Sequence, residues 1–182
     1  MYQHQYYIYS DSKELTLYPV WKINQYTITF DTDGGTAIAP ITQNYGSAIT
    51  APADPVKEGH TFIGWDIAIP ANMPAENMTI KALWELNQYV VTWDNGDGGS
   101  YSKDIYYGEA ITVPTSQIFQ DTVRKTGYTL TDWIGFTDGM KMPACDLTFT
   151  AVYTANTYSV TFDSNGGTAI APITVTYDQK YG

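Results

Sequence analysis

Apolar and polar side chains alternate with a period of two at three places along the chain. Tyr26, Ile28 and Phe30 fall on one face of the first stretch, and Thr27, Thr29 and Asp31 on the other. Tyr89, Val91, Trp93 and then Tyr158, Val160, Phe162 repeat the arrangement. Neighbouring side chains of an extended strand point to opposite faces, so each stretch predicts a strand with one buried side. Each runs into a segment rich in Asp, Asn and Gly, at 31–35, 94–99 and 163–167. Gly and Asn accept positive φ, which predicts a tight hairpin reversal at all three. The returning strands close at Tyr45-Gly46, at Tyr107-Gly108 and near Tyr177.

The pattern continues beyond the hairpins. A third strand is predicted over 59–65 and again over 127–133, each ending in Trp. A fourth follows Met73-Pro74 or Met142-Pro143, with Met78, Ile80, Ala82, Trp84 matched by Leu147, Phe149, Ala151, Tyr153. The segment between hairpin and third strand differs in length between the copies, which marks it as a crossover outside the sheet. In the second copy, Ser116 is a suitable N-cap and Ile118, Phe119, Thr122 and Val123 fall at helical spacing. Arg124 and Lys125 would close the last turn and Gly127 would end it, predicting a helix of two to three turns. The first copy has room for a shorter version.

These repeats set the organisation. The nonapeptide Gly-Gly-Thr-Ala-Ile-Ala-Pro-Ile-Thr stands at 34–42 and again, unchanged, at 166–174. A fixed period of roughly 65 residues means a tandem array of one folding unit. The expected class is α+β and strand-dominated, each unit having two strands, a short crossover helix and two strands. The predicted divisions are 1–24, the closing part of an incomplete repeat; 25–87 and 88–156, full repeats; and 157–182, an opening hairpin. Short joints without Gly or Pro, centred on Asn24, Asn87 and Asn156, predict a semi-rigid rod. Tyr26, Phe30, Trp84 and their equivalents are the expected core.

Composition alters this picture in three ways. A unit of that size buries only about 60% of its unfolded surface, and the 16 Tyr, 5 Trp and 6 Phe supply large apolar area to compensate. Nineteen acidic against nine basic residues leave a net charge of −10, which speaks against nucleic acid as partner. Cys145 is the only cysteine, so no intrachain disulfide forms. No apolar run is long enough to span a bilayer, and no membrane insertion is expected. Residues 1–20 lack the pattern of a signal peptide, so an export signal would lie outside this chain.

Tyr-x-x-x-Phe-Asp-x-x-Gly-Gly, followed by Gly-x-Thr-Phe-x-Gly-Trp at 59–65 and Met-Thr-Ile-x-Ala-x-Trp at 78–84, resembles the Listeria–Bacteroides repeat. That family includes the B repeats of internalin B. The resemblance covers nearly the whole chain, although Asp132 replaces the glycine before Trp133 in the second copy. It implies a β-grasp-like fold in bacterial cell-surface or secreted proteins, where such repeats act as stalks or adhesive spacers. It carries no catalytic residues and no cofactor.

Candidate sites are sparse. Asp31, Asp33, Asp94 and Asp97 place carboxylates within reach of one hard cation, but calcium takes six to eight oxygens and the turn alone explains the glycines. His4 and His60 are not at metal-ligand spacing, and Cys145 has no base in the repeat to activate it. Tyr7, Tyr9, Tyr18, Tyr101 and Tyr106 fall outside the core register or in irregular segments, where they could stack on sugars or dock a protein. No Ser/His/Asp arrangement recurs, so an enzyme is not expected. The favoured function is a structural and adhesive repeat region of an extracellular bacterial protein, with protein or glycan ligands. The alternatives are head-to-tail self-association by strand complementation between chain ends and a carbohydrate-binding module.

Overall fold

The computed structural model describes residues 19–180. His4, Tyr7, Tyr9 and Tyr18 lie outside the described residues. The chain divides into two compact units between Glu85 and Leu86.

The first unit holds β1 (Gln25–Asp31), β2 (Ile41–Asn44), β3 (His60–Trp65) and β4 (Met78–Leu86). They form one mixed sheet in the order β2-β1-β4-β3. β1 is antiparallel to β2 and parallel to β4, with Ile28 opposite Met78. A parallel neighbour requires a crossover, and residues 45–77 provide it. Ile28, Phe30, Met73 and Ile80 are the buried cluster, so the period-two face of β1 packs inward as predicted. Met73 is tied to the far side of the crossover: its N–H donates to Ser47 O at 2.8 Å, and its carbonyl accepts from Gly46 N at 2.9 Å.

The second unit repeats this plan with β5 (Gln88–Asp94), β6 (Ser100–Tyr106), α1 (Gln117–Thr122), β7 (Tyr128–Ile134) and β8 (Leu147–Ala155). The order is β6-β5-β8-β7, and the parallel register sets Val91 opposite Leu147. Its core is larger: Val91, Trp93, Ile105, Ile111, Phe119, Val123, Trp133, Met142 and Phe149 are buried. Phe30 and Trp93 belong to different clusters, so each repeat has its own interior. The last hairpin, β9 (Thr157–Val160) with β10 (Ile173–Thr176), forms a separate two-stranded sheet within this unit.

Four expectations need correction. Among the described residues the first crossover carries no helix. Instead Val56 O accepts from Thr36 N at 2.8 Å, and Val56 N donates to Thr36 Oγ1 at 3.0 Å. The first and third reversals are tight turns as predicted, Gly35 N donating to Thr32 O at 2.9 Å and Gly167 N to Ser164 O at 2.8 Å, with positive φ at Asp33 and Gly34 and at Asn165 and Gly166. The second is wider, Asn95 N donating to Gly99 O at 2.9 Å. The second-copy helix is real and Ser116 caps it, its hydroxyl accepting from Phe119 N at 3.3 Å. With six residues, however, it makes fewer than two turns and ends in Val123 rather than Gly127. Trp84 is half-buried and lies outside the core cluster, because its indole serves a turn. Tyr158 and Phe162, equivalents of core residues, are 48% and 43% exposed, since among the described residues no third strand pairs with β9.

Candidate functional site

The Asp-Gly turns are the most conspicuous polar feature shared by the units, and their geometry is built locally. Asp31 Oδ1 accepts from Asp33 N at 3.0 Å, Asp94 Oδ1 from Gly96 N at 2.8 Å, and Asp163 Oδ1 from Asn165 N at 2.9 Å. This is the local side-chain-to-backbone turn that Asp favours. Asp33 itself sits at φ 48°, in the left-handed region that Asp tolerates better than most residues.

In the first two turns the second aspartate meets a lysine from the crossover. Lys57 Nζ lies 3.6 Å from the Asp33 carboxylate and donates to Asp33 O at 2.8 Å, while Lys81 approaches the same carboxylate at 3.7 Å. Lys125 Nζ lies 2.9 Å from Asp97 Oδ2. Both crossover lysines also sit over aromatic rings of the closing strand, Lys57 at 5.6 Å from the Trp84 centroid and Lys125 at 5.4 Å from that of Tyr153. Lys125 is in addition 4.9 Å from the Tyr128 ring. A cation over an aromatic face is attracted by the ring quadrupole, so each lysine joins the turn to the end of the sheet. The rings close the arrangement: Trp84 Nε1 donates to Thr32 O at 3.1 Å, and Tyr153 OH donates to Val123 O at 2.6 Å. A Cβ on Gly35 would lie 2.6 Å from the Trp84 indole, so glycine is required there.

Electrostatics follow this geometry. The hydrogen bond to Asp97 raises the Lys125 pKa above its ordinary value, and burial raises that of Tyr153. Of the four aspartates proposed for calcium, Asp31 and Asp94 thus brace their own turns while Asp33 and Asp97 face lysine. Among the described residues no group of three or more His, Cys, Asp or Glu is placed to hold a metal ion. Sequence reasoning missed Lys57 and Lys125. The available signal was their shared position two residues before a glycine, Gly59 and Gly127.

The joints form a second recurrent arrangement. The carbonyls of Asn24, Asn87 and Asn156 accept from the N–H of Tyr45, Tyr107 and Tyr177, each at 2.9 Å. At the third joint, Asn156 N donates to Gly127 O at 2.8 Å and Asn156 Oδ1 accepts from Thr129 Oγ1 at 2.6 Å. The Tyr177 ring covers Gly127 so closely that a Cβ there would collide with it. It also meets the Tyr128 ring edge-on at 5.5 Å, and Tyr128 OH donates to Asp178 at 3.0 Å. That bond raises the Tyr128 pKa. Asn156 and Tyr177 together fasten the last hairpin to the start of β7.

The remaining candidates are placed as follows. Tyr101 and Tyr106 both belong to β6 rather than to irregular chain. Tyr101 is half-buried with its ring 5.5 Å from that of Phe119, and Tyr106 is exposed. Cys145 is exposed. His60 Nδ1 bonds to Glu58 O at 2.8 Å, and its ring stands edge-on to Trp84 at 6.4 Å. Among the described residues no helix is long and apolar enough to cross a membrane.

Comparison with known proteins agrees with the repeat plan. The chain is 32% identical over 180 residues to a Gly-rich protein of Evansella cellulosilytica named as a membrane protein, covering 89% of this chain and 20% of that one. A second protein of that organism, also named as a membrane protein, is 32% identical over 173 residues, with 85% and 25% covered. Internalin H of Listeria monocytogenes is 32% identical over 149 residues, with 72% and 25% covered. The chain therefore spans a quarter or less of the length of these relatives. The model of the Listeria-Bacteroides repeat domain matches residues 26–82, 89–157 and 158–182 in succession, and this chain belongs to that family.

Proposed function

We propose that this chain is a non-enzymatic spacer and adhesive segment of a bacterial cell-surface or secreted protein. Each unit is β-grasp-like, and the functional repeats are 25–87 and 88–156, flanked by 1–24 and 157–182. The observation that carries this reading is the recurrence of one construction. The same mixed strand order, lysine-clamped turn and asparagine joint appear in successive copies, while the crossover and the outward surface vary. A chain selected for chemistry would concentrate polar groups at one place, whereas here they brace turns and joints. Relatives named as membrane proteins and as an internalin support a place at the cell envelope. Repetition supplies length, and weak contacts made by each unit gain avidity with number. Small-angle scattering of the full chain tests the spacer role. A semi-rigid rod is expected to give a defined distance between repeat centres. A distribution matching freely jointed units would overturn it.

A second reading is favoured by the β9–β10 hairpin. Tyr158, Val160 and Phe162 are exposed there, although Ile28 and Phe30 at matching positions of β1 are buried. A complementary strand from a second copy would cover this face and build a head-to-tail filament. Sedimentation velocity over a wide concentration range is expected to show growing species. A monomer at every concentration would remove the filament reading and leave the spacer reading intact.

A further inference from the structure

Two asparagines of the chain precede a glycine, Asn95 before Gly96 and Asn165 before Gly166, and both lie in the reversals that open a repeat. Glycine has no Cβ to shield its backbone nitrogen, so that nitrogen can approach the asparagine side-chain carbonyl carbon closely. The two reversals hold this pair of atoms in opposite ways.

Asn95 is half-buried and its amide is engaged at both ends. Nδ2 donates to Thr122 O at 2.9 Å, and Oδ1 accepts from Asp97 N at 2.8 Å and from Gly99 N at 2.9 Å. The side chain is packed so tightly that a Cβ on Gly99 would lie 2.6 Å from Nδ2. Gly96 N, the atom that would attack, donates to Asp94 Oδ1 at 2.8 Å. A carboxylate on that N–H opposes its deprotonation, since two negative groups would then be in contact. Asn165 is exposed, and among the described residues neither its side-chain amide nor Gly166 N has a hydrogen-bond partner. The Asp163 carboxylate accepts from Asn165 N instead, at 2.9 Å, one residue before the attacking nitrogen. The space around Gly166 is open, and an added Cβ would meet nothing within 4 Å.

We propose that Asn165 is a modification site, where the folded chain deamidates spontaneously to aspartate and isoaspartate, while Asn95 is protected by its turn. Gly166 N gives its proton to solvent base and bonds to Asn165 Cγ. The Cγ–Nδ2 bond breaks and the amide nitrogen leaves as ammonia, which closes a succinimide ring. Water then opens that ring. Cleavage between Gly166 N and Cγ gives aspartate, and cleavage between Gly166 N and the main-chain carbonyl carbon gives isoaspartate. Water is the co-reactant, and nothing is oxidised or reduced. Either product adds a negative charge to the exposed end of the β9–β10 hairpin. Aspartate fits the turn, because Asp33 holds the same place in the first reversal at φ 48°, against 45° for Asn165. Isoaspartate does not fit, since its extra backbone methylene falls inside the ring closed by Gly167 N donating to Ser164 O at 2.8 Å. The inference rests on neither the spacer nor the filament reading.

The test is peptide mapping of the full chain aged at mildly alkaline pH, with fragmentation that separates aspartate from isoaspartate. In native buffer Asn165 should convert at least about tenfold faster than Asn95, whose ring closure requires releasing two or more hydrogen bonds. In urea that unfolds the chain both pairs lose their surroundings, and the rates should come together. Asn165→Gln, whose longer side chain cannot close the five-membered ring, should remove most of the ammonia released by the folded protein. A native ratio below about tenfold, the same ratio persisting in urea, or undiminished ammonia release from N165Q would each overturn the proposal.

Discussion

Replacing Phe119 by Ala tests whether each repeat stands on its own interior. Phe119 is 1% exposed, and its ring is wedged among Trp93, Tyr101 and Trp133 at centroid distances of 6.1, 5.5 and 5.9 Å. Three large rings surrounding it cannot collapse into the space left behind, so the truncation falls in the usual Phe→Ala range of about 3–5 kcal/mol. The gain in helix propensity is small beside this. A unit of about 70 residues is stabilised by only about 3–10 kcal/mol in total. The loss is therefore comparable to the whole stability of the second unit. The first unit has its own cluster of Ile28, Phe30, Met73 and Ile80 and should be spared. Hydrogen exchange read by mass spectrometry resolves the two. Core amides in 88–155 should exchange at least about a hundredfold faster in F119A, each 1.4 kcal/mol being about tenfold. Amides in 25–86 should keep their wild-type protection. Equal acceleration in both units would refute separate interiors, and a cost below about 1 kcal/mol would refute the packing argument.

Gly127→Ala should cost roughly 1–2 kcal/mol from the left-handed backbone alone, plus displacement of the Tyr177 ring. Urea unfolding should show the second part disappearing when the same change is made in a Tyr177→Ala background. Alkaline stability should fall, because the folded state holds the protons of Lys125, Tyr128 and Tyr153 more tightly than ordinary side chains do. Their contribution is complete below the ordinary values of 10.5 for Lys and 10.0 for Tyr and is lost as pH rises through the raised folded values. Denaturation midpoints taken between about pH 9 and pH 11 should therefore decline, and a flat or rising profile would contradict the assignment. Lys57→Met should lower stability by about 1 kcal/mol or less, and added salt should shrink the difference from wild type. Ser116→Ala should cost about 1 kcal/mol through loss of the cap on Phe119 N, visible as a lower melting temperature.

The recurring strands were readable because their information is local. A period-two run such as Tyr26, Ile28, Phe30 specifies both a strand and its buried face, and the period of the whole array follows from comparing such runs. Ser116 was readable for the same reason, since a cap acts within one turn. The helix end was not. Arg124 and Lys125 suit a last helical turn, but Lys125 is drawn instead to Asp97 and to two tyrosine rings, contacts made across the fold. The short helix expected in the first crossover is absent for the same reason: Val56 bonds to Thr36 across the fold, and no local rule selects that partner.

Sequence alone therefore determined the unit, its repetition and its strand faces, because periodicity and glycine placement act over a few residues. Only the tertiary structure decided which polar groups meet. It gave the turn aspartates their lysines, set Tyr177 on Gly127 and tied the Asn95 side chain to Thr122. The physical reason is that these pairings depend on where the crossover lays its side chains. That is governed by packing and loop closure over dozens of residues, for which the linear pattern holds no register.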